Sequence, residues 1–357
     1  MALNPSGAIS LGGPSTGQSI AVELGLSPIA EISLNQTNVR TLAQVPSGQI
    51  VMPTNFWGKS NVTGIQKAIF GYGNTPTNVS ITNLVSSTGV VATDTPGVGT
   101  GRQGVAAAGY GTDKAIFGYG TSGAATAVTN LVSNTGVVSA DTPGVGTARY
   151  YLAAAGYGTD KAIFGYGVVY PTNYSITNLV SNTGVVSANT PGVGTVRSGV
   201  AAAGYGTDKA IFGYGVTGTS TNLSVTNLVS NTGVVSADTP GVGTARSNVG
   251  AAGYGTDKAI FGFGNASSTY YAMTNLVSNT GVVATDTPAV SGVTARNTVG
   301  AAVYGGDKAI FGYGFLFPAT RYNITNLVSN TGVVSANTPG VGTARSGLAA
   351  ASYSLTA

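Results

Sequence analysis

Lys67-Ala68-Ile69-Phe70-Gly71-Tyr72-Gly73 is the stretch that decides the fold, because it returns five more times almost letter for letter. The later copies begin at Lys114, Lys161, Lys209, Lys258 and Lys308, at intervals of 47, 47, 48, 49 and 50 residues. Self-similarity at a period of this length is typical of solenoids and propellers. We therefore interpret residues 61–357 as six copies of one structural unit and residues 1–60 as a separate module.

One complete unit, read from Arg197, contains four predicted short β-strands, which we call a to d. Strand a is Ala-rich (Val200 to Gly204), strand b is Lys209 to Gly213, strand c is Val225 to Val229, and strand d contains Val234-Val235. Short turns rich in Gly, Asp and Asn join a to b and c to d. The apolar runs are continuous, which is typical of sheets covered on both faces. This predicts sheets that are each sandwiched between two neighbours, with the small strand a at a crowded axis.

The two ends of the repeat region distinguish a ring from an open stack. The first strand b, at Lys67, has no strand a before it, whereas the chain ends on a strand a, Ala349 to Tyr353, with no strand b after it. A solenoid would use this half-unit as a cap, but a ring would join it to the first strand b and remove exposed sheet edges. We predict an all-β fold: a six-bladed β-propeller with four-stranded blades, closed by the last thirteen residues.

The repeat also resembles a known propeller class. An Arg, an Ala-rich strand, a turn with Asp and then Ile-Phe-Gly-x-Gly follow one another as in kelch-type repeats, whose period is about 50 residues. The glycine doublet of those repeats is spaced here as Gly213-Tyr214-Gly215, so the chain would be a divergent relative. The resemblance implies the same propeller architecture.

Residues 1–60 differ from the repeats, since they hold both Glu residues of the chain and no Tyr. Ile20, Val22 and Leu24 alternate with other residues, which predicts a short strand, and Asn35 to Pro46 is a predicted helix. A β-rich module of about 60 residues is marginal alone. We therefore expect it to dock on the repeats or on a partner.

The sequence of residues 1–60 carries a second resemblance to a known class of proteins. The relevant pieces are Gly7-Ala8-Ile9-Ser10-Leu11-Gly12-Gly13, Gly17-Gln18-Ser19-Ile20, Glu23-Leu24-Gly25, Ile32-Ser33-Leu34-Asn35, Val39-Arg40 and Phe56-Trp57-Gly58-Lys59-Ser60. In this order they resemble the N-terminal module of tailed-bacteriophage virion proteins, especially tail proteins, although Trp57 stands where a Tyr would be expected. The resemblance implies that residues 1–60 anchor the protein in a virion, with Ile20, Val22, Leu24, Phe56 and Trp57 as candidate anchoring residues. The alternative is a generic β cap that protects one edge of the repeat domain.

The composition argues against an enzyme. The chain has no Cys and no His, which excludes thiol nucleophiles, imidazole bases and the usual zinc ligands. Its repeats contain no Glu, and their Asp residues recur at equivalent places, before Lys (Asp208) and before Thr-Pro (Asp238), where two copies carry Asn189 and Asn337 instead. Such interchange indicates turn formation rather than proton transfer. We predict no catalytic residue, metal site or cofactor, and expect the Arg of each unit to make hydrogen bonds between blades.

Charge and hydropathy exclude two further partners. Fifteen Lys and Arg against eleven Asp and Glu give a net charge of +4, and the basic residues are spread evenly along the chain. Nucleic-acid binding needs a basic patch, so we expect none. No segment is long and apolar enough to span a bilayer, and the first residues carry no secretory signal.

The b–c stretch is the part of the unit that differs most between copies, and in a propeller these six loops emerge on one face. Loops on a rigid scaffold commonly carry binding sites, although sequence drift is an alternative explanation. The aromatic residues of three loops are the candidate binding residues: Tyr170, Tyr174, Tyr270, Tyr271, Phe315, Phe317 and Tyr322.

Together these features predict a structural bacteriophage virion protein, a tail fibre or baseplate component. It would be assembled in the host cytoplasm in multiple copies, bind other tail proteins through residues 1–60, and bind protein or host-surface glycan through its propeller. The alternative is a cellular lectin-like or adaptor propeller without enzymatic activity. A hydrolase is the third hypothesis, and the lack of a carboxylate pair disfavours it.

Overall fold

The computed structural model describes residues 19–24, Leu34, Val39, Ala43 and 65–355. The chain divides into two compact units, Met1–Ile65 and Gln66–Leu355. Phe56 and Trp57, two of the candidate anchoring residues, lie outside the described residues. Among the described residues, no helix is long and apolar enough to cross a membrane.

The first unit contains a helical turn where the sequence predicts a strand. Helix α1 spans Ile20–Glu23, and the Leu24 N–H donates a 3.0 Å hydrogen bond to the Ile20 carbonyl. The strand prediction is wrong because an apolar pattern of only six residues fits both the period of a strand and the period of a helix. Residues four apart, as Ile20 and Leu24 are, also share one face of a helix. Val39 and Ala43, again four apart, are helical and buried within the stretch predicted as a helix.

The second unit is all-β and propeller-like. Its strands are β1 (Ile65–Gly71), β2 (Thr82–Val85), β3 (Ala106–Tyr110), β4 (Lys114–Gly118), β5 (Thr129–Val132), β6 (Ala153–Tyr157), β7 (Lys161–Gly165), β8 (Val168–Val169), β9 (Thr172–Asn173), β10 (Thr177–Val180), β11 (Ala201–Tyr205), β12 (Lys209–Val216), β13 (Asn222–Val229), β14 (Gly250–Tyr254), β15 (Lys258–Gly262), β16 (Asn265–Ala266), β17 (Thr269–Tyr270), β18 (Thr274–Val277), β19 (Gly300–Tyr304), β20 (Lys308–Leu316), β21 (Thr320–Val328) and β22 (Ala349–Leu355).

These strands form six three-stranded antiparallel sheets, one for each copy of the repeat. Five sheets use strands of one copy: β3-β4-β5, β6-β7-β10, β11-β12-β13, β14-β15-β18 and β19-β20-β21. The remaining sheet is β22-β1-β2, so the last strand of the chain pairs with the first. The Ile of strand b pairs with the Leu of strand c in all six sheets, and in β11-β12-β13 Ile211 of the central strand lies between Ala203 and Leu228. Strands β8-β9 and β16-β17 form short hairpins in the b–c loops.

The predicted fourth strand is not continuous. Strand c meets the d segment only at two isolated bridges, Thr226 with Thr239 and Val229 with Val235 in the fourth sheet. Between the bridges the pairing combines backbone and side chain, since the Ser236 N–H donates to the Leu228 carbonyl at 2.8 Å and the Leu228 N–H donates to Ser236 Oγ at 2.9 Å. Pro240 follows and has no N–H to donate. Each sheet is therefore three-stranded rather than four-stranded, with an irregular fourth segment beside strand c.

A backbone irregularity after strand b aims an aromatic ring at the neighbouring sheet. Tyr214 has φ 63°, and the register of β12 with β13 shifts between Gly213 and Gly215. Such a bulge turns the side chain away from its regular direction. The ring of Tyr214 then contacts Phe261 of the next sheet edge-on, with centroids 5.1 Å apart.

Neighbouring sheets pack through a Phe that lies on a Gly. A Cβ added at Gly165 would lie 2.7 Å from Cζ of Phe212 in the next sheet. The same close approach joins Gly71 to Phe117, Gly118 to Phe164, Gly213 to Phe261, Gly262 to Phe311, and Gly312 to Phe70. The last pair joins the sixth copy to the first. The Gly after each Ile-Phe therefore makes room for the neighbouring sheet.

The a strands of all six sheets line one narrow cavity of about 110 Å³, whose walls are mostly Ala and Gly. This confirms that small residues occupy the crowded inner position. At one end of the a strands, the a–b turns of neighbouring sheets are hydrogen-bonded to each other. For example, the Gly158 N–H donates to the Asp208 carbonyl at 2.7 Å. Gln66 and Ser354 line a second cavity at this end, so the chain enters and leaves the second unit there.

We expect Gly165→Ala to lower the free energy of unfolding by about 1–3 kcal/mol, because a methyl group there overlaps the Phe212 ring. Gly218→Ala is the matched control, since its Cβ would meet only the Pro171 carbonyl oxygen at 3.8 Å. Urea titration of both variants measures the difference. Equal stability of the two variants would contradict this packing.

Candidate functional site

The Arg that opens each unit is fully buried, and its guanidinium group is held at three points. Arg197 Nε donates to the Tyr214 carbonyl at 2.8 Å, Nη1 to the Thr195 carbonyl at 2.9 Å, and Nη2 to Asn227 Oδ1 at 2.6 Å. Its Cζ lies 4.2 Å from the ring centroid of Tyr166 in the preceding sheet. The predicted contacts to carbonyl groups are present, but the Arg side chain reaches the neighbouring sheet by stacking rather than by hydrogen bonding.

An Asp completes this network and receives hydrogen bonds from two directions. Asp238 Oδ2 accepts from Thr195 Oγ1 at 2.6 Å, and Asp238 Oδ1 accepts from Asn227 Nδ2 at 2.9 Å. Burial alone would raise the pKa of Asp238, but these hydrogen bonds and the charge of Arg197, 3.8 Å away, lower it below its ordinary value. The carboxylate is thus stabilised in its charged form, which suits a structural anion and disfavours a proton-transfer role.

Two units carry Asn in place of this Asp and keep the geometry. The Thr147 N–H donates to Asn189 Oδ1 at 3.1 Å, and Asn189 Nδ2 donates to Thr147 Oγ1 at 2.8 Å. In the other such unit, burial lowers the pKa of Arg296 to about 10, opposed by the phenol of Tyr322. That Arg still carries its charge at neutral pH. The network is therefore a hydrogen-bonded clamp in which the negative charge is optional.

The seven predicted binding residues all lie in b–c stretches, with Phe315 in β20 and Tyr322 in β21, but the structure does not bring them into one cluster. Tyr170 and Phe317 are exposed, at 84% and 70% of their surface, whereas the other five are half-buried. Within residues 65–355, no ring-to-ring contact joins any two of the seven. The guanidinium of Arg321 lies near the Phe315 ring, with Cζ 5.7 Å from the ring centroid.

Among the candidate anchoring residues, the structure describes the side chains of Ile20 and Leu24. Ile20 is fully buried and Leu24 is half-buried. Val22 lies within α1, but its side chain is outside the described part of the chain. Ile20 is therefore buried within the chain itself, and the anchoring role of these residues stays a prediction.

A cavity of about 310 Å³ opens at the b–c end of the a strands, and the sequence did not predict it. Its lining includes Asn74, Gln103, Tyr151, Asn248, Asn297, Thr298, Phe315 and Arg321. Arg321 is fixed there, since Nε donates to the Asn74 carbonyl at 3.0 Å and Nη2 to Asn74 Oδ1 at 2.6 Å. This contact joins the sixth copy to the first.

The signal that could have found this cavity is the pair of residues after each repeated Arg. These pairs are Gln103-Gly104, Tyr150-Tyr151, Ser198-Gly199, Ser247-Asn248, Asn297-Thr298 and Ser346-Gly347. They differ between copies although the flanking residues are nearly constant. Comparison of the copies along the b–c stretch alone overlooks them.

Among the described residues, no group of three His, Cys, Asp or Glu side chains could hold a metal ion. The Asp residues of the a–b turns each pair with the following Lys, as where Lys161 Nζ lies 2.6 Å from Asp160 Oδ1. This hydrogen bond is the main reason that the pKa of Asp160 is lowered. The absence of an enzymatic function stays a prediction.

We expect Asp238→Ala to lower the free energy of unfolding by about 1–3 kcal/mol, because it leaves the donors of Thr195 and Asn227 without an acceptor. Asp238→Asn should cost less than about 1 kcal/mol, since Asn189 makes the equivalent bonds. Urea unfolding at neutral pH compares them. If Asn proved as destabilising as Ala, the carboxylate charge itself would be required.

No family model and no curated protein matches the chain. Among solved structures, the chain is similar to one titled "Structure of YjhT", with 11% sequence identity and a TM-score of 0.52. The match covers 70% of this chain and 87% of that one. At this identity the likeness shows the fold alone, which is all-β and propeller-like.

Proposed function

We propose that the six sheets are the blades of a closed six-bladed propeller, completed by the C-terminal strand. Three contacts support closure, each joining the last copy to the first: β22 pairs with β1, Phe70 packs on Gly312, and Arg321 donates to Asn74. In addition, Arg345 Nε donates to the Tyr72 carbonyl at 2.8 Å. Closure of this kind leaves only short, protected sheet edges.

The function that fits this scaffold best is binding by a virion protein of a tailed bacteriophage. Residues 1–60 would be the anchor in the tail, on the strength of their resemblance to tail proteins. The propeller would be the binding head, and its b–c loops would contact a protein or a host-surface glycan. A role in a tail fibre or baseplate without enzymatic activity is the form we favour.

The observation that carries the binding role is the position of Tyr170 and Phe317. Both are large aromatic side chains exposed to solvent in b–c loops that differ between otherwise similar copies. Exposed aromatic residues on a rigid scaffold are commonly the strongest contributors to binding. These loops also lie at the end of the second unit opposite to Gln66, where the chain enters.

The double variant Tyr170→Ser and Phe317→Ser should reduce binding of the full-length protein to host cells at least about tenfold, because buried aromatic contacts contribute 2 kcal/mol or more to such interfaces. Binding of fluorescently labelled protein to host cells gives the measurement.

The control is Val137→Ser with Val185→Ser, since both valines are 66% exposed and lie in d segments rather than b–c loops. Equal binding by the aromatic and the control variants would contradict the proposed face. Antibody labelling of purified particles tests the virion role separately, and particles without the protein would contradict it.

A further inference from the structure

The cavity at the b–c end is the strongest feature that the binding loops do not explain. A belt of backbone hydrogen bonds surrounds it, in which the N–H of one unit donates to the carbonyl of the preceding unit. Tyr151 donates to Gly104, Gly199 to Tyr151, Asn248 to Gly199, Thr298 to Asn248, and Gly104 to Gly347, at 2.8–3.0 Å. The belt therefore fixes six equivalent backbone positions around one opening.

All six positions have left-handed backbone conformation, yet only three of them carry Gly. Gly104, Gly199 and Gly347 have φ 62°, and the other three positions are Tyr151 at 51°, Asn248 at 55° and Thr298 at 51°. Gly adopts this conformation freely, whereas a side chain there is strained, and a β-branched Thr especially so. Three copies thus keep side chains at a site where the fold favours Gly. Strain retained in this way often serves a binding site.

These three side chains converge on the same cavity with others that are unique to their copy. Tyr151, Asn248 and Thr298 line it together with Gln103, Asn297 and Arg321. The result is an asymmetric polar surface at the centre of a nearly symmetric repeat. Packing among the sheets does not need this asymmetry, because the Gly copies make the same belt.

The polar groups are held in place by their neighbours. Asn265 Oδ1 accepts from Asn297 Nδ2 at 2.8 Å and from Asn248 Nδ2 at 3.2 Å. The phenol ring of Tyr151 is steadied edge-on by Tyr150, with centroids 5.3 Å apart. Among the residues that the structure describes, the Tyr151 hydroxyl has no hydrogen-bond partner. A ligand in the cavity would therefore meet oriented amides and an available phenol.

We propose that this cavity binds one saccharide residue. The idea rests on the proposed function, because it names the ligand class that the b–c end would take. Sugar hydroxyls both donate and accept, and the amides of Gln103, Asn248 and Asn297 offer both kinds of group. The rings of Tyr151 and Phe315 supply flat apolar surface for the C–H face of a sugar. The volume of about 310 Å³ lies at the lower end of the range for small-molecule pockets.

Other ligand classes fit less well. A phosphate would need several converging cations, but among the described residues that line the cavity only Arg321 is a cation, and it is already bonded to Asn74. An apolar ligand would leave the amide groups without partners, at a cost in affinity. A folded protein cannot enter a cavity of this size.

The test uses the full-length protein and a panel of mono- and disaccharides: hexoses, N-acetylhexosamines and hexuronic acids. Saturation-transfer NMR identifies the binders, and calorimetry measures Kd for the strongest. The triple variant Tyr151→Gly, Asn248→Gly and Thr298→Gly should raise that Kd at least about tenfold, because it removes several hydrogen bonds. Its Tm should be unchanged or higher, since Gly relieves the left-handed strain.

Thr159→Gly is the matched control. Thr159 also has a left-handed conformation, with φ 70°, but it lines the cavity at the opposite, a–b end. We expect it to leave saccharide binding unchanged. A panel without any binder would overturn the saccharide proposal, and host-cell binding by the same protein would show that the proposed function survives. A saccharide whose Kd changes with Tyr170→Ser and Phe317→Ser but not with the triple variant would overturn the cavity alone.

Discussion

The buried Arg of each unit is the interaction on which the rest of the structure depends. Removing a guanidinium group from water is costly unless its charge and its donors are all satisfied. Arg197 meets this condition with three hydrogen bonds, an aromatic ring and a nearby carboxylate. Its hydrogen-bond acceptors belong to one sheet and its stacked ring to the preceding one. A unit can therefore bury its Arg at low cost only when its neighbour is in place.

This dependence explains why the units are so alike. The Thr, Arg and Asn of the network, an aromatic ring (Tyr, or Phe263 in one copy), an Asp or Asn, and the Gly under the neighbouring Phe recur in every copy, because the contacts between neighbouring sheets depend on them. Variation is then confined to positions that the network does not use, which are the b–c loops and the residues that follow each Arg. In the proposed closed ring, both sets lie at the same end of the molecule. The scaffold thus separates a constant structural part from a variable recognition part.

The sequence was sufficient for much of the fold because its signals are repeated. The period, the a–b turn with Asp208 and the Ala-rich strand each occur in nearly every copy, so chance matches are averaged out. The irregularity of the fourth strand was not predictable, since Ser236 and Asn227 add side-chain hydrogen bonds where a regular strand would have backbone pairing alone. Predictions for stretches that occur only once in the chain were the least reliable. Ile20–Glu23, for example, forms a helical turn where the alternation of apolar residues predicted a strand. The resemblance of residues 1–60 to virion proteins remains a prediction.

The candidate site was harder to predict than the fold. The aromatic loops were predicted from their composition. Composition alone does not show that Tyr170 and Phe317 are exposed while the other five aromatic residues are half-buried, because exposure depends on how each hairpin folds back. The cavity brings Asn74 together with Arg321, which are 247 positions apart in the chain. No local pattern encodes that proximity. It follows from the pairing of the last copy with the first.

Closure is tested most directly by a crosslink between the two ends of the repeat region. Asn74 and Ser346 exchange both backbone hydrogen bonds, at 2.8 and 3.0 Å, and the Cα atoms of such a pair lie about 5.5 Å apart, within disulfide range. Because the natural chain has no Cys, Asn74→Cys with Ser346→Cys should form one intramolecular disulfide, visible as a loss of two hydrogen masses. Asn74→Cys with Ser198→Cys is the control, since Ser198 pairs with Val216 in another sheet. A disulfide in the first variant alone is the result that a closed ring predicts, and no intramolecular disulfide in the first variant would contradict it.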